Sequence, residues 1–169
     1  EETPDDDEIV LTSGKSYSNV FHANGGSASF SVMANTLRGV YGTDVLLATA
    51  NSFTGSVLQA DYNKKMAASM IMPNGLMSRQ RTMTGAELKE TVRAFVEGCK
   101  GGFVPFNRGS LPVVSGIAVE VKEASGSYPL TGITRNGQPL KDDDTVTVTC
   151  LAAEKQMEAL LASETGTSL

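Results

Sequence analysis

An almost wholly apolar run in the first third of the chain constrains the fold more than any other feature. It covers Val45 to Ala50 and follows a break at Gly42-Thr43-Asp44. A strand with one face in water alternates apolar and polar side chains, whereas a strand that is covered on both faces is apolar throughout. The run therefore predicts a buried strand with other elements packed above and below it.

Helices and strands alternate along the rest of the chain. The spacing of apolar residues predicts four helices, over Ser27 to Val40, Asn63 to Met72, Thr84 to Cys99 and Ala152 to Ala162. Apolar or alternating runs predict further strands, over Ile9 to Leu11, Leu76 to Met83, Leu111 to Glu123 with a bend at Ser115-Gly116, Leu130 to Arg135 and Thr145 to Cys150. Gly14 to Gly26 and Asn51 to Asp61 are expected to be loops, and Asn136-Gly137 predicts a turn. Thr84, with Glu87 three residues later, fits the capping-box pattern at the start of the third helix. Because several strands are joined by short turns, an α+β fold with a mixed β-sheet and packed helices is favoured.

The charge of the chain is concentrated at its start. The sequence has 169 residues, a length typical of one domain, and a formal net charge of -5. Six of the 19 acidic residues lie in the first eight positions, which leaves 13 acids against 14 bases in the remainder. We therefore expect an acidic linker or tail over residues 1–8 and a single domain over residues 9–169. The nearly neutral body makes nucleic acid an unexpected partner.

The supply of imidazole and thiol groups limits the chemistry. His22 is the only histidine, so the sequence predicts no metal site and no two-metal phosphatase centre within this chain. A catalytic triad built on His22 remains formally open, although a surface or capping histidine fits its Ser/Asn/Gly-rich surroundings better. Cys99 and Cys150 lie 51 positions apart, and both a disulfide and two ordinary buried thiols are compatible with that separation.

Nothing in the sequence predicts a membrane span. The longest apolar runs are far shorter than the roughly 20 residues that a spanning helix needs. The first residues have no signal-peptide pattern, so the chain is expected to be cytosolic or already trimmed.

Two groups of side chains are candidates for ligand binding. Phe103 and Phe106 flank a proline in a Gly-rich stretch and precede Arg108, so their rings could stack a planar base or pack locally under the loop. Arg79 and Arg81 share one face of a predicted strand, where they could hold an anion or protect a solvated sheet edge.

From Asp44 onward the order of segments resembles the C-terminal domain of the 5'-nucleotidase family, which includes UDP-sugar hydrolases and 2',3'-cyclic phosphodiesterases. The matching stretches, which span roughly residues 25–155, are Thr43 to Ala48 followed by Asn51, Pro73-Asn74-Gly75, Met83 to Leu88, Val114 to Ile117, and Asn136 to Thr149. In the order in which they occur, the last three are fairly specific together.

The resemblance implies a fold and a function. In that family an N-terminal metallophosphoesterase domain holds two divalent metals and hydrolyses the substrate, while the C-terminal domain binds the nucleoside between two Phe rings. The expected partners are thus a nucleoside or nucleotide and an N-terminal catalytic domain of the same parent protein. The expected role is non-catalytic substrate recognition in nucleotide catabolism, with no cofactor in this chain. The resemblance also implies a bacterial hydrolase located outside the cell, in the periplasm or at the cell surface.

The candidate ligand-binding residues combine both arguments. They are Asn51, Phe53, Asn74, Phe103, Phe106 and Arg108. The sequence departs from the family pattern at Asn74, where the motif has Phe, near Thr54, where the motif has Arg, and after Leu151, where no aromatic residue follows. Phe53 is a candidate substitute platform for the base.

These departures leave two other functions open. The first is a diverged binding or interaction module that keeps the fold and has lost the nucleotide site. The second, less favoured, is an autonomous enzyme that uses a Ser or Cys nucleophile.

Overall fold

The computed structural model describes residues 7–17, 27–53, 56–69, 76–99, 112–153 and 167–168. Its elements follow the chain in the order β1 (Ile9–Ser13), α1 (Ala28–Tyr41), β2 (Val45–Thr49), β3 (Ala60–Asn63), α2 (Lys64–Ser69), β4 (Leu76–Thr84), α3 (Gly85–Gly98), β5 (Pro112–Ser115), β6 (Ala118–Val121), β7 (Leu130–Arg135), β8 (Gln138–Pro139), β9 (Thr145–Ala153) and β10 (Thr167–Ser168). The predicted α+β class is confirmed.

A five-stranded mixed sheet lies at the centre of the described residues, with strand order β10-β4-β9-β2-β5. Strand β2 is parallel to β9 and antiparallel to β5, and β4 is antiparallel to both β9 and β10. Two smaller sheets accompany it, one of β1 and β3 and one of β6, β7 and β8. The mixed sheet that the sequence predicts is therefore present.

Strand β2 is buried along its whole length, as its apolar sequence predicts. Val45 and Leu47 belong to a core cluster on one face of the sheet, which we call the α3 face because α3 supplies Leu88, Val92, Phe95 and Val96 to it. Leu46 and Ala48 belong to a second cluster on the opposite α1 face, to which α1 supplies Met33, Ala34 and Leu37. The fold is thus layered on both sides of one strand.

Local signals fix the ends of the two long helices. Ser27 caps α1 by accepting a hydrogen bond from the Phe30 backbone N–H, and α1 ends at Gly42 in the left-handed region. Thr84 and Glu87 form the predicted capping box of α3, with the Glu87 carboxylate accepting from the Thr84 N–H at 2.8 Å.

The chain reverses where the sequence predicts turns. Gly116, at φ +85°, lies between β5 in the central sheet and β6 in the three-stranded sheet, so the predicted bend is confirmed. Asn136 and Gly137 both have positive φ angles, as the predicted hairpin turn between β7 and β8 requires.

Three expectations differ from the structure. The expected loop of Asn51 to Asp61 contains a short helical turn at Ala50–Ser52 and the start of β3, which is a strand because it pairs with β1. The helix expected from Asn63 begins at Lys64, because the Asn63 side-chain Oδ1 accepts a hydrogen bond from the Met66 N–H and so caps the helix. Its last residues, 70–72, lie outside the described residues.

The start of the expected final helix is wrong, because Ala152 and Ala153 continue β9 by pairing with β4. Residues 154–166 lie outside the described part of the chain. A helix as far as Ala162 therefore stays a prediction, as does the division into a tail and one domain.

Two glycines let backbone segments approach closely. A Cβ at Gly85 would overlap the Lys141 carbonyl oxygen, and a Cβ at Gly116 would overlap the Asp44 carbonyl oxygen. The close approach at Gly85 accompanies a hydrogen bond from its N–H to the Asp144 carbonyl at 2.7 Å. These contacts join α3 to the connection before β9, and the end of β5 to the start of β2.

We predict that Gly85→Ala lowers the free energy of unfolding by roughly 2–3 kcal/mol, because the backbone around Lys141 must move to admit the methyl group. Gly39→Ala is the matched control, since Gly39 lies in α1 with open space around it and should gain up to about 1 kcal/mol. Urea unfolding of both variants measures the difference. Equal stability of the two variants would contradict the close contact at Gly85.

Candidate functional site

Four strand ends lie together at one edge of the central sheet. In the sequence, these strand ends adjoin the segments with the predicted ligand-binding residues. At this carboxyl edge, where β2 and β9 end, β4 and β5 begin. Thr49 pairs with Pro112, and Leu76 pairs with Ala153, so all four strand ends lie in adjacent positions. Strand ends of this kind are frequent ligand sites because the connections leaving them carry side chains on a fixed scaffold.

The candidate residues are neighbours of these strand ends in the sequence. Asn51 and Phe53 follow β2, Asn74 precedes β4 by two positions, and Phe103, Phe106 and Arg108 precede β5. Asn74, Phe103, Phe106 and Arg108 lie outside the described residues, as does Thr54. Asn51 lies in the helical turn Ala50–Ser52. Their roles in binding stay predictions.

Phe53 lies in the core cluster of the α1 face and is 5% exposed. Its ring stacks on that of Phe30 in α1, with the ring centroids 5.8 Å apart and the planes at 27°. Ala50, Ser52 and the Phe53 ring are all buried, and this packing fixes the path of the chain as it leaves β2. In this arrangement a base could reach the ring only after Phe30 or another core neighbour moved.

The opposite, amino edge of the sheet has a polar network that the sequence analysis did not identify. The Asp44 carboxylate accepts from Arg135 at 2.7 Å, from the Thr147 N–H at 2.9 Å and from the Thr147 hydroxyl at 3.1 Å. Arg38 of α1 donates from Nε to the Ser115 hydroxyl at 2.8 Å. Each of these groups therefore has a partner within the fold, and together they join β2, β5, β7, β9 and α1.

Asp44, Ser115 and Gly116 all belong to stretches that carry the sequence resemblance. Their contacts give the motifs a structural explanation. The Asp44 carboxylate accepts hydrogen bonds from β7 and β9, the Ser115 hydroxyl accepts one from α1, and Gly116 permits close approach of the backbone at Asp44. A cross-strand partner for Asp44 could have been sought in the alternating Thr residues of β9, but no sequence signal identifies Arg135.

Both cysteines are free and buried in the core cluster of the α3 face. Burial raises the pKa of the Cys99 thiol from 9.0 to about 12. Burial also raises the pKa of the Cys150 thiol to about 12, against a smaller lowering by the Arg81 charge. A thiol must lose its proton to attack, so these surroundings disfavour either cysteine as a nucleophile. Of the two alternatives for the cysteines, the structure has buried thiols.

Within the described ranges, residues 7–17, 27–53, 56–69, 76–99, 112–153 and 167–168, neither a metal-ligand cluster nor a spanning helix is present. No three His, Cys, Asp or Glu side chains come together there to hold a metal ion. His22 lies outside those ranges. Among the described helices none has the length and hydropathy needed to cross a membrane.

Comparison with known proteins identifies relatives by structure and not by sequence. No protein-family model and no curated protein matches the sequence. The chain is similar in structure to the NAD nucleotidase NadN of Haemophilus influenzae, with a TM-score of 0.60, 16% identity and coverage of 94% of this chain and 31% of that one. It is also similar to a 5'-nucleotidase precursor of Thermus thermophilus, with a TM-score of 0.58, 12% identity and coverage of 96% and 33%.

The chain has the fold of one part of the 5'-nucleotidases. It spans about a third of the length of the solved structures that it matches, which is consistent with the C-terminal domain predicted from the motifs. The same fold occurs in the sulfate thiohydrolase SoxB of Thermus thermophilus, with a TM-score of 0.60, 11% identity and coverage of 96% of this chain and 29% of that one. At these identities the likeness establishes the fold, and the ligand has to be argued separately.

The buried thiols give a prediction about pH. Below pH 9 both thiols are protonated in the folded and the unfolded chain, so their contribution to stability is intact. As the pH rises from 9 towards 12, the unfolded thiols lose protons that the folded ones keep, and the free energy of unfolding falls by about 1.4 kcal/mol per pH unit for each thiol.

Urea unfolding at pH 8, 9 and 10 measures this loss. The double variant Cys99→Ala/Cys150→Ala, which is less stable at pH 8, should lose less stability between pH 8 and pH 10 than the unchanged chain. All other side chains are common to both proteins. An identical loss in the two proteins would show that the thiols are not buried as described.

Proposed function

We propose that this chain is the substrate-recognition domain of a 5'-nucleotidase-like metallophosphohydrolase that acts in nucleotide catabolism. In this role it binds a nucleoside or nucleotide and presents the phosphate to a metal-bearing catalytic domain of the same parent protein. The observation that supports the proposal most strongly is coverage: 94–96% of this chain matches about a third of each of two nucleotidases. The order of motifs in the sequence supports the same parent class.

The carboxyl edge is the proposed binding surface. Four described strand ends meet there, and the six candidate residues are all within ten positions of one of these ends in the sequence. Asn51, Asn74 and Arg108 offer hydrogen bonds to a base or sugar, and Phe103 and Phe106 offer rings for stacking. Hydrolysis is assigned to the divalent metals of the partner domain, so the chain needs no cofactor of its own. The resemblance supports a bacterial parent protein and a location in the periplasm, at the cell surface or outside the cell.

A second candidate function is a binding or interaction module that keeps the scaffold and has lost the nucleotide site. The burial of Phe53 against Phe30 favours it, because that ring is the proposed substitute for a missing stacking partner. The structural likeness to a protein named as a sulfate thiohydrolase also favours it, because the same fold occurs in a protein whose name specifies a substrate other than a nucleotide.

Calorimetric titration with adenosine, AMP and UDP-glucose distinguishes the two candidates. Micromolar binding of any one of them is expected for the substrate-recognition domain. Replacing the rings in the variant Phe103→Ala/Phe106→Ala should then weaken binding by about 1–3 kcal/mol per stacked base. Tyr128→Ala serves as an aromatic control. Tyr128 lies between β6 and β7 in the sequence and packs against the α3-face core. Absence of heat with all three compounds would support the diverged module instead.

A hydrolysis assay tests the assignment of catalysis to another domain. The chain alone, supplied with AMP and Mg²⁺, Mn²⁺ or Zn²⁺, is expected to release no phosphate above the rate of the metal alone. Metal-dependent turnover by the purified chain would overturn the non-catalytic role. The variant His22→Ala would then show whether the single histidine takes part.

A further inference from the structure

We propose that Arg79 and Arg81 form a phosphate-binding pair on the α3 face, in the middle of β4. The inference rests on the proposed function, in that the phosphate belongs to a nucleotide whose nucleoside part is held at the carboxyl edge. The pair would orient the charged end of the ligand.

The register of the sheet places Arg79 at the end of an apolar row and Arg81 near the end of the next one. Directly paired residues in a sheet point to the same face. Arg79 pairs with Cys150, which pairs with Leu47, and Leu47 in turn pairs with Val114. Those three neighbours all belong to or pack against the α3-face core. The row therefore runs from a covered interior to a cation at its outer end.

Arg81 lies in the next row on the same face, between Val148 of β9 and Ser168 of β10. It pairs with Val148, and Val148 pairs with Val45, both of which are completely buried. The Arg81 charge lowers the pKa of the Cys150 thiol, which agrees with the register in placing both residues on the α3 face. Arg81 has partners within the fold, so we assign it to support and Arg79 to first contact with the ligand.

Arg79 has the exposure that a ligand contact requires. Its side chain is exposed, and no ion pair holds it within the described ranges, whereas Lys64, Lys89, Arg93 and Arg135 are each paired with an acid. Arg79 lies three residues from Leu76 at the carboxyl edge, a separation of about 10 Å along the strand. Its two-residue spacing from Arg81 gives about 7 Å between the Cα atoms, which a phosphate can bridge with hydrogen bonds to both guanidinium groups.

The competing explanation is purely structural. Charged side chains on an outer strand discourage pairing with other chains, and β10 covers only Thr82 and Arg81 of β4. In that case Arg79 would affect association of the protein and not its affinity for phosphate. The two explanations predict different results for the same variant.

The experiment is calorimetric titration with inorganic pyrophosphate, AMP and adenosine at low salt, using the unchanged chain, Arg79→Gln, Arg79→Lys and Arg93→Gln. The control Arg93 is an exposed arginine of α3 that is paired with Glu90. We expect Arg79→Gln to weaken the binding of pyrophosphate and of AMP fivefold to tenfold and to leave the binding of adenosine unchanged. Arg79→Lys should recover part of the affinity, and Arg93→Gln should match the unchanged chain.

Each outcome bears on one proposal at a time. Pyrophosphate binding that depends on Arg79, without binding of adenosine, supports the phosphate pair and contradicts the nucleoside site. Adenosine binding with pyrophosphate and AMP affinities that Arg79→Gln does not change overturns the phosphate pair and keeps the nucleoside site. Equal losses in Arg79→Gln and Arg93→Gln would indicate general charge attraction, and increased self-association of Arg79→Gln without loss of affinity would indicate edge protection; both overturn the pair. Thermal unfolding of each variant confirms that it is folded.

Discussion

Burial of β2 on both faces is the constraint on which the other described elements depend. A five-residue strand with no exposed side chain needs hydrogen-bonding strands on both edges and apolar layers above and below. Strands β9 and β5 satisfy the edges, while α3 with the three-stranded sheet and α1 with the β1–β3 pair satisfy the faces. Because both core clusters include β2 residues, an alteration in this strand would affect both layers at once.

The two edges of the central sheet differ in their polar contacts. At the amino edge, Asp44, Arg135 and Thr147 close a network in which each polar group has a partner, so this edge is committed to holding the strands in register. At the carboxyl edge the strands end and the chain continues into the segments that carry the candidate side chains. The carboxyl edge is therefore the one to which the proposed function assigns the ligand.

The sequence was most informative where the structure is determined locally. The capping box at Thr84 and Glu87, the turn at Asn136-Gly137 and the apolar run of β2 each depend on neighbouring residues, and each was predicted. Strand β3 was missed because Ala60–Asn63 alternates apolar and polar residues over only four positions, and its pairing with the distant β1 makes it a strand. The Arg135–Asp44 pair was also missed, since 91 positions separate its members and no local signal connects them.

Apart from Asn51 and Asn74, the motif residues that carry the resemblance differ from the candidate ligand-binding residues. Asp44, Gly85, Ser115 and Gly116 make backbone approaches and hydrogen bonds inside the fold. These contacts serve the scaffold and involve no ligand. This separation explains how one fold occurs in proteins named as an NAD nucleotidase and as a sulfate thiohydrolase. Specificity has to come from side chains that the scaffold does not need, and the exposed Arg79 on β4 is such a position.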